Sequence, residues 1–347
     1  MHRSWRRAAR IPRRGCAALP FAHRAARSTD MRRTTRSLKR LAPITAGLAT
    51  VALLAGAAPA QAAGLTGSPG GPYAGMGGCP VTSPALQNPD NLQVGCVVSV
   101  TRAGSFTIGS TTVPLTSPIT LQFGVYWDKS APVVNFPDGS SANQYATVSP
   151  ATGQLLTAKP AEITIPGIIN FLPGLTSVFA QVELAGPVTD FTPLAAGESY
   201  PVFKLPIKLH LHNALFGDNC YIGSNSAPIV LHPTTGTTAP PAPGKPMTGD
   251  PGTIAVNADP NGHDAIVASF AGATLVDNTF AVPGASGCGL GGILDPLIDW
   301  TMGIPSAAGK GSVNFQQTDT ALALDGSLAD LTGALDASAG QAATTRH

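Results

Sequence analysis

Apolar and polar residues alternate strictly along FKLPIKLHLH at 203–212, and this pattern predicts a β-strand. Its apolar side chains occupy one face, while lysine, proline and histidine side chains occupy the other. One face of the strand should therefore be buried and the other should be in contact with water. Because proline cannot donate a ladder hydrogen bond and lysine discourages edge pairing, we expect this strand at the edge of a sheet.

The same alternation occurs in ITLQFGVYW at 119–127 and in VFAQVEL at 178–184. Shorter apolar runs separated by Gly, Pro, Asn and Asp predict further strands at 94–101, 105–109, 161–166, 228–231, 252–257, 265–270 and 312–318. No strand–helix–strand rhythm is present, so a parallel sheet is disfavoured. The expected fold class is mainly β, an antiparallel β-sandwich or barrel-like structure, built as one unit or as two packed β-units.

Two segments near the C-terminus show helical spacing instead. In GGILDPLIDWTMG (291–303), we expect Asp295 to cap a helix, Pro296 to occupy its first position and Gly303 to end it. In GSLADLTGALDASAG (326–340), three leucines at helical spacing precede an alanine-rich tail. One or two short C-terminal helices should therefore accompany the strands.

Residues 31–62 contain the three parts of a secretory signal peptide in the correct order. A basic front follows Met31, an apolar run covers 44–54, and Ala-Gln-Ala at 60–62 supplies a cleavage pattern. Residues 1–30 precede this start and carry eight arginines. We interpret them as a non-native extension of the reading frame or as a leader that is also removed. The mature protein should therefore be secreted.

Charge is divided unequally along the chain. Residues 1–62 contain thirteen Lys/Arg and one acidic residue, a net charge of +12, whereas residues 63–347 contain eight Lys/Arg and eighteen Asp/Glu, a net charge of −10. The mature part is therefore acidic, which argues against nucleic acid and anionic membranes as partners. No apolar run with a basic stop occurs near the C-terminus, so we expect no transmembrane anchor in the mature chain.

Four cysteines follow the predicted cleavage site: Cys79, Cys96, Cys220 and Cys288. An even number of cysteines in an exported chain predicts two disulfides. Three pairings are possible, and we favour Cys79–Cys96 with Cys220–Cys288 because neighbouring cysteines close shorter loops. No C-x-x-C pair is present, so a zinc site is the less favoured alternative.

The segment HPTTGTTAPPAPGKPMTGDPG contains six prolines and no core residues, and it is predicted to be a linker or a surface loop. The expected organisation is an extension at 1–30, a signal peptide at 31–62, a β-domain at 63–231, the linker or loop at 232–252, a second β-unit with short helices at 253–338, and a flexible tail at 339–347.

His210 and His212 are the first candidates for metal ligands, because they project from one face of the predicted strand at 203–212. His232 or Asp218 would have to complete such a site, and a solvated strand face is the favoured alternative.

Asp259 is the second metal candidate, since NADPNG at 257–262 resembles the start of a calcium loop. However, Ala268 stands where that loop needs a bidentate glutamate. DPNG also suits a type I turn between two strands, and we favour the turn.

FGDNCYIGSNS at 216–226 is the densest polar and aromatic cluster of the sequence. Asp218, Asn219 and Tyr221 are therefore candidates for a binding loop. The favoured alternative is a turn and loop around a bridged cysteine, with Tyr221 packed on the sulfur.

No G-x-S-x-G or H-E-x-x-H motif is present, and we expect no cofactor. The predicted function is that of a secreted, noncatalytic β-rich protein of the cell envelope or medium. Its role would be structural or surface-binding, with cell-envelope components as candidate partners.

Two alternatives stay open. One is a secreted hydrolase with a site assembled in three dimensions, which needs a cleft with convergent polar residues. The other is a carrier for an apolar ligand, suggested by the apolar run at 165–175, which needs an apolar cavity of roughly several hundred Å³. A surface-binding module needs neither, but it can expose a contiguous apolar patch.

Overall fold

The computed structural model describes residues 64–150, 155–163 and 177–344, and antiparallel strands are the main regular structure of this part of the chain. The predicted extension and signal peptide at 1–62 and the apolar run at 165–175 lie outside the described residues. The expected fold class is confirmed: the chain is mainly β, pairs its strands antiparallel and has two helices near the C-terminus.

Each predicted strand segment overlaps a described strand, and the structure adds further short strands that the sequence pattern did not predict. The bounds of the described strands are β1 Asn91–Ile108, β2 Thr111–Pro114, β3 Ile119–Asp128, β4 Val133–Asn135, β5 Ser141–Asn143, β6 Ala146–Val148, β7 Leu156–Thr157, β8 Ala161–Ile163, β9 Val178–Leu184, β10 Leu205–His212, β11 Tyr221–Ile222, β12 Ile229–Leu231, β13 Thr253–Ala258, β14 Ile266–Asp277, β15 Ala285–Ser286 and β16 Ser312–Asp325. The helices are α1, Asp295–Met302, and α2, Leu328–Thr344.

These strands form two large sheets and one small hairpin. The larger sheet has eight strands in the order β13–β14–β16–β1–β3–β6, with β2 attached to β1 and β7 attached to β3. The second sheet has six strands in the order β15–β11–β10–β9–β8, with β12 attached to β10. β4 pairs with β5, and every pairing between the described strands is antiparallel.

The main core lies between the two sheets and produces the sandwich. On β10, apolar side chains alternate with partly exposed polar ones as predicted, and Ile207, Leu209 and Leu211 are buried. They belong to the same apolar cluster as Val97 of β1 and Phe123 of β3 in the facing sheet. The alternation of the sequence therefore directs one face of each sheet into a shared interior.

The predicted edge position of this strand is wrong, because β10 has partners on both sides. It pairs with β9 over Ile207–His212 and with β12 and β11 on the opposite side. The Pro206 carbonyl accepts a hydrogen bond from Ala185 N, one residue past the end of β9 at Leu184. The N–H and C=O groups of one strand residue point to the same side, which for Pro206 is the side of β9. Because β9 has already ended at this position, the missing N–H of Pro206 leaves no acceptor of β9 without a partner.

The opposite face of the larger sheet is buried as well. Helix α2 and the N-terminal segment 64–90 contribute Leu331, Leu335 and Tyr73 to a second apolar cluster with Cys96 and Val98 of β1. The segment approaches the sheet closely, because a Cβ atom at Gly124 of β3 would lie 2.6 Å from Pro80 Cγ. Thus β1 is covered on both faces, and its residues 94–98 are all buried.

The favoured disulfide pairing is present. Cys79 is bonded to Cys96 and Cys220 to Cys288. The first bond attaches the N-terminal segment to β1, and the second joins residues beside β11 and β15 in the smaller sheet. Two disulfides and a β-sandwich are compatible with an extracellular protein.

The proline-rich segment at 232–252 lies against the larger sheet. Thr234 exchanges backbone hydrogen bonds with Val276, and Thr234, Thr235 and Thr238 are buried. Strands from both sides of the segment share one sheet, since β1 pairs with β16. Helix α2 continues to Thr344, into the part of the chain for which the sequence predicts a tail.

Removing the first disulfide should destabilise the fold measurably. For the double variant Cys79→Ala/Cys96→Ala we expect the free energy of unfolding to fall by about 3 kcal/mol, because the unfolded chain regains conformational entropy when the bond is absent. The bonded cysteines are 17 residues apart in sequence. Urea unfolding followed by circular dichroism measures the loss.

The double variant Cys220→Ala/Cys288→Ala provides the comparison, since its cysteines are 68 residues apart. It should lose about 4 kcal/mol in the same model. An unchanged free energy of unfolding in the Cys79→Ala/Cys96→Ala variant would contradict the role assigned to this bond.

Candidate functional site

Large apolar side chains point into solvent beside the Cys220–Cys288 bond. Leu290 is 96% exposed, Ile293 74% and Trp300 70%. Ile293 has helical backbone angles just before α1, and Trp300 follows two turns later on the same face. Pro296 lies between them on that face and is also exposed. Leu290, Ile293, Pro296 and Trp300 are called the apolar ridge below.

The charged residues of α1 are turned away from the ridge. Asp295 accepts hydrogen bonds from Cys288 N at 2.7 Å and Gly287 N at 3.2 Å, and Asp299 accepts one from Ala285 N at 2.7 Å. The prediction that Asp295 caps the helix is wrong, because its carboxylate binds this preceding loop and Leu294 occupies the N-cap position. Gly303 ends the helix as predicted, with a positive φ.

The inner face of α1 holds the helix against the protein. Ile298 and Met302 are buried in the core between the sheets. Burial raises the pKa of Asp299, and Asp295 raises it further, while the hydrogen bond from Ala285 acts in the opposite direction. The ridge is therefore presented by a short helix whose other side is fixed by apolar packing and by two carboxylates.

The loop at 216–226 supports the same region from the other side of the disulfide. Gly289 N donates to Phe216 O at 2.7 Å, which places the exposed Leu215 and Leu290 next to a shared hydrogen bond. Tyr221 of β11 pairs with Ser286 of β15. Leu215, which immediately precedes this loop, is thus an exposed apolar residue one position from the acceptor of that bond.

The three candidate binding residues of this loop have structural contacts in the described chain. The Asp218 carbonyl is 3.0 Å from His210 Nε2, and the Asn219 carbonyl lies so close to Gly287 that a Cβ there would be 2.3 Å away. The Tyr221 ring stacks on His210 with ring centroids 4.4 Å apart. These contacts place Tyr221 on the histidines of β10.

His210 and His212 do form a cluster on the outer face of the smaller sheet. Their ring centroids are 3.9 Å apart. His210 Nδ1 is 3.1 Å from Glu183 Oε1, and its Nε2 is the atom that lies near the Asp218 carbonyl. His212 Nε2 is 3.2 Å from Gln181 Oε1.

These ring nitrogens therefore already have hydrogen-bonding neighbours. Within the described ranges, no three His, Cys, Asp or Glu side chains are placed to hold a metal ion. His232 does not join the pair as a third ligand, and its backbone N–H donates to Asp277. The cluster is a stacked polar ladder in which Lys208 Nζ also lies 4.6 Å from the centre of the Tyr221 ring.

Asp259 lies in the turn between β13 and β14. Its carboxylate accepts hydrogen bonds from Tyr73 Oη at 2.9 Å, Asn261 N at 2.9 Å and His263 N at 3.0 Å. Burial raises the pKa of the Tyr73 hydroxyl, and the hydrogen bond to Asp259 raises it further. The carboxylate therefore orders its own turn and attaches the N-terminal segment to it.

A groove of about 390 Å³, which sequence reasoning missed, lies among the described residues. Its polar lining includes Asp128, Asp190 and Tyr145, which come from distant parts of the chain. Asp190 is 2.5 Å from Lys204 Nζ, and Asp128 accepts a hydrogen bond from Ser130 N at 2.7 Å. Both carboxylates are therefore already bonded within the protein.

A second cavity lies between the two sheets and is lined mainly by apolar side chains such as Phe106, Ile207 and Phe315. Its volume is about 70 Å³. Pockets for small molecules have volumes of roughly 300–1,000 Å³. This cavity, as the described residues form it, is therefore too small for a lipid-sized ligand.

No protein-family model, curated protein or solved structure matches this chain. Neither of the two described helices is both long enough and apolar enough to cross a bilayer. The functions considered for the apolar ridge, the groove and the stacked polar ladder of His210 and His212, called the histidine ladder below, are therefore inferred from their geometry alone.

The histidine ladder should make stability depend on pH. Burial lowers the pKa of His212 from its usual 6.5, and His210 lowers it further, against the opposing effects of Glu183 and Asp218. As the pH falls below about 6.5, the unfolded chain gains this proton before the folded protein does. The free energy of unfolding should therefore fall with pH and level off below the lowered folded pKa.

The measurement compares urea unfolding of the wild type and His212→Gln between about pH 7.5 and about pH 5.5. The variant should lose less stability on acidification than the wild type. His232→Gln serves as the control, since this histidine lies outside the stacked pair. Equal acid sensitivity of the wild type and His212→Gln would rule out this effect.

Proposed function

We propose that this protein is a secreted, noncatalytic binding module that docks through the apolar ridge into a hydrophobic groove of another cell-envelope protein. The exposure of Leu290, Ile293 and Trp300 on one fixed surface carries the proposal. Single apolar residues are common on protein surfaces, but a contiguous group is typical of an interaction site.

The spacing of the ridge favours a protein partner. Ile293, Pro296 and Trp300 follow the i, i+3, i+7 pattern by which a helix places side chains into a groove. None of the four ridge residues is charged, and residues 63–347 carry a net charge of −10. An anionic lipid surface would therefore meet no basic group on the ridge and would be repelled by the chain as a whole.

The attachment of α1 favours tight docking. Burial of a large apolar side chain contributes about 1.5–3 kcal/mol, and tryptophan is enriched among the residues that dominate binding energies. Because Asp295, Asp299 and the Cys220–Cys288 bond already hold the helix, little conformational entropy is lost on binding. The ridge is preorganised for a partner.

The hydrolase and carrier alternatives have less support. A hydrolase would have to use the groove of about 390 Å³, where Asp128 is bonded to Ser130 and Asp190 to Lys204. A carrier would have to enlarge the intersheet cavity of about 70 Å³ several-fold. The ridge needs no such rearrangement.

Export itself predicts a defined N-terminus. The protein recovered from the culture medium of the producing cells should begin near residue 63, because cleavage follows the Ala-Gln-Ala sequence at 60–62. N-terminal sequencing tests this. A chain that stays in the cytosol with residues 1–30 attached would contradict secretion.

Removal of the ridge should abolish docking. We expect the double variant Ile293→Ser/Trp300→Ser to bind an isolated envelope fraction at least about tenfold more weakly than the wild type, since burial of two large apolar side chains is lost. Co-sedimentation of the purified protein with the envelope fraction measures binding. Leu194→Ser is the matched control, because Leu194 is an exposed apolar residue on a different surface segment, the 3-10 helix Pro193–Ala195.

The same assay identifies the class of partner. Protease treatment of the envelope fraction before mixing should remove the binding sites. Binding that survives this treatment, or that persists in the Ile293→Ser/Trp300→Ser variant, would contradict docking into a protein groove. Circular dichroism of each variant confirms that the fold is intact.

A further inference from the structure

Among the described strands, β13 forms one open edge of the larger sheet. It pairs with β14 on one side, and it ends the order of strands on the other. All six residues of Thr253–Ala258 are exposed, so neither the smaller sheet nor α2 covers either face. At about 3.4 Å per residue, the strand presents roughly 20 Å of backbone to a partner.

The other strands at sheet edges are protected by their length or composition. In the part of the chain that the structure describes, β6 and β8 have three residues each and β15 has two. Strand β2 has four residues and ends in Pro114. Short strands and proline are the usual devices against edge pairing. β13 has six residues, without proline or charge.

The side chains of β13 favour pairing with an identical strand. Ile254 is 49% exposed and Val256 63%, and both lie on one face of the sheet. Two copies of this acidic chain repel each other over most of their surfaces, because residues 63–347 carry a net charge of −10. An uncharged strand avoids this repulsion at the point of contact.

We propose that the protein forms a two-fold dimer by antiparallel pairing of β13 from two copies, which joins their larger sheets into one. A two-fold axis perpendicular to the sheet keeps each face continuous, so the side chains of two paired residues lie on the same face. Paired residues therefore both have odd numbers or both have even numbers. With Ala255 on the axis, Ile254 lies opposite Val256 of the second copy, and Thr253 lies opposite Asn257. This register places all four large apolar side chains in two cross-strand pairs.

The dimer is independent of the proposed docking function. The ridge lies on residues 290–300, whereas the dimer uses residues 253–257. Either proposal therefore stands if the other fails. A dimer would carry two ridges, and linked binding sites strengthen attachment to a surface with several partners.

The first test is the concentration dependence of mass. Analytical ultracentrifugation of the full chain from low to high micromolar concentration should show a monomer–dimer equilibrium. Ala255→Lys should weaken the dimer at least about tenfold, because the two ammonium groups face each other across the axis. Thr116→Lys is the control, since it adds the same charge at an exposed loop position and should leave dimerisation unchanged.

The outcomes are decisive in both directions. A wild-type protein that stays monomeric at high micromolar concentration overturns the proposal, and so does an Ala255→Lys variant that folds and dimerises as well as the wild type. In the first case the edge of β13 would be free to pair with a strand of another protein. Selective loss of the dimer in Ala255→Lys supports it.

The second test fixes the register by cross-linking. Opposite residues of an antiparallel pair have Cα atoms about 4.5–5.5 Å apart, within disulfide range. In a Cys16→Ser background, Ala255→Cys should therefore form a covalent dimer on oxidation. Val256→Cys should not, because its two copies would be separated diagonally by more than about 7 Å. Preferential cross-linking at position 256, or none at either position, contradicts this register.

Discussion

Burial of both faces of β1, at the centre of the larger sheet, is the constraint on which the rest of the structure depends. On β1, Val97 lies in the core shared with the smaller sheet, while Cys96 and Val98 lie under α2 and the N-terminal segment. A sheet that is apolar on both faces needs two covering layers. The smaller sheet supplies one, and the Cys79–Cys96 bond and the contact of Tyr73 with Asp259 hold the other.

Most polar groups considered as candidate sites serve this architecture. Asp259 orders a turn, Asp295 and Asp299 bind a loop, and His210 bonds to Glu183 and to a backbone carbonyl. By contrast, the apolar ridge and the edge strand β13 present exposed apolar side chains and exposed backbone. This distribution is typical of a protein that acts by contact.

The local sequence pattern predicted most strands. It failed where contacts with another segment of the chain set the length, the position or the hydrogen bonds of an element. The runs at 94–101 and 105–109 merge into β1, because β16 pairs with both parts across Gly104. Lysine and proline on 203–212 suggested an edge, yet β10 has partners on both sides. This is possible because β9 ends before the position where Pro206 would have to donate a backbone N–H to it. Asp295 suggested a cap, but two backbone amides of a loop lie within its reach.

The amino-acid sequence by itself determined the strand-rich fold class and the turn at Asp259, because these depend on short-range periodicity and turn geometry. It favoured the observed disulfide pairing over two alternatives through loop closure, and the structure decided among the three. Only the tertiary structure decided that Leu290, Ile293, Pro296 and Trp300 face water, since the same spacing describes a buried helix. It also decided which strand ends the sheet. Both properties depend on what packs against a segment, and that information lies in residues far away along the chain.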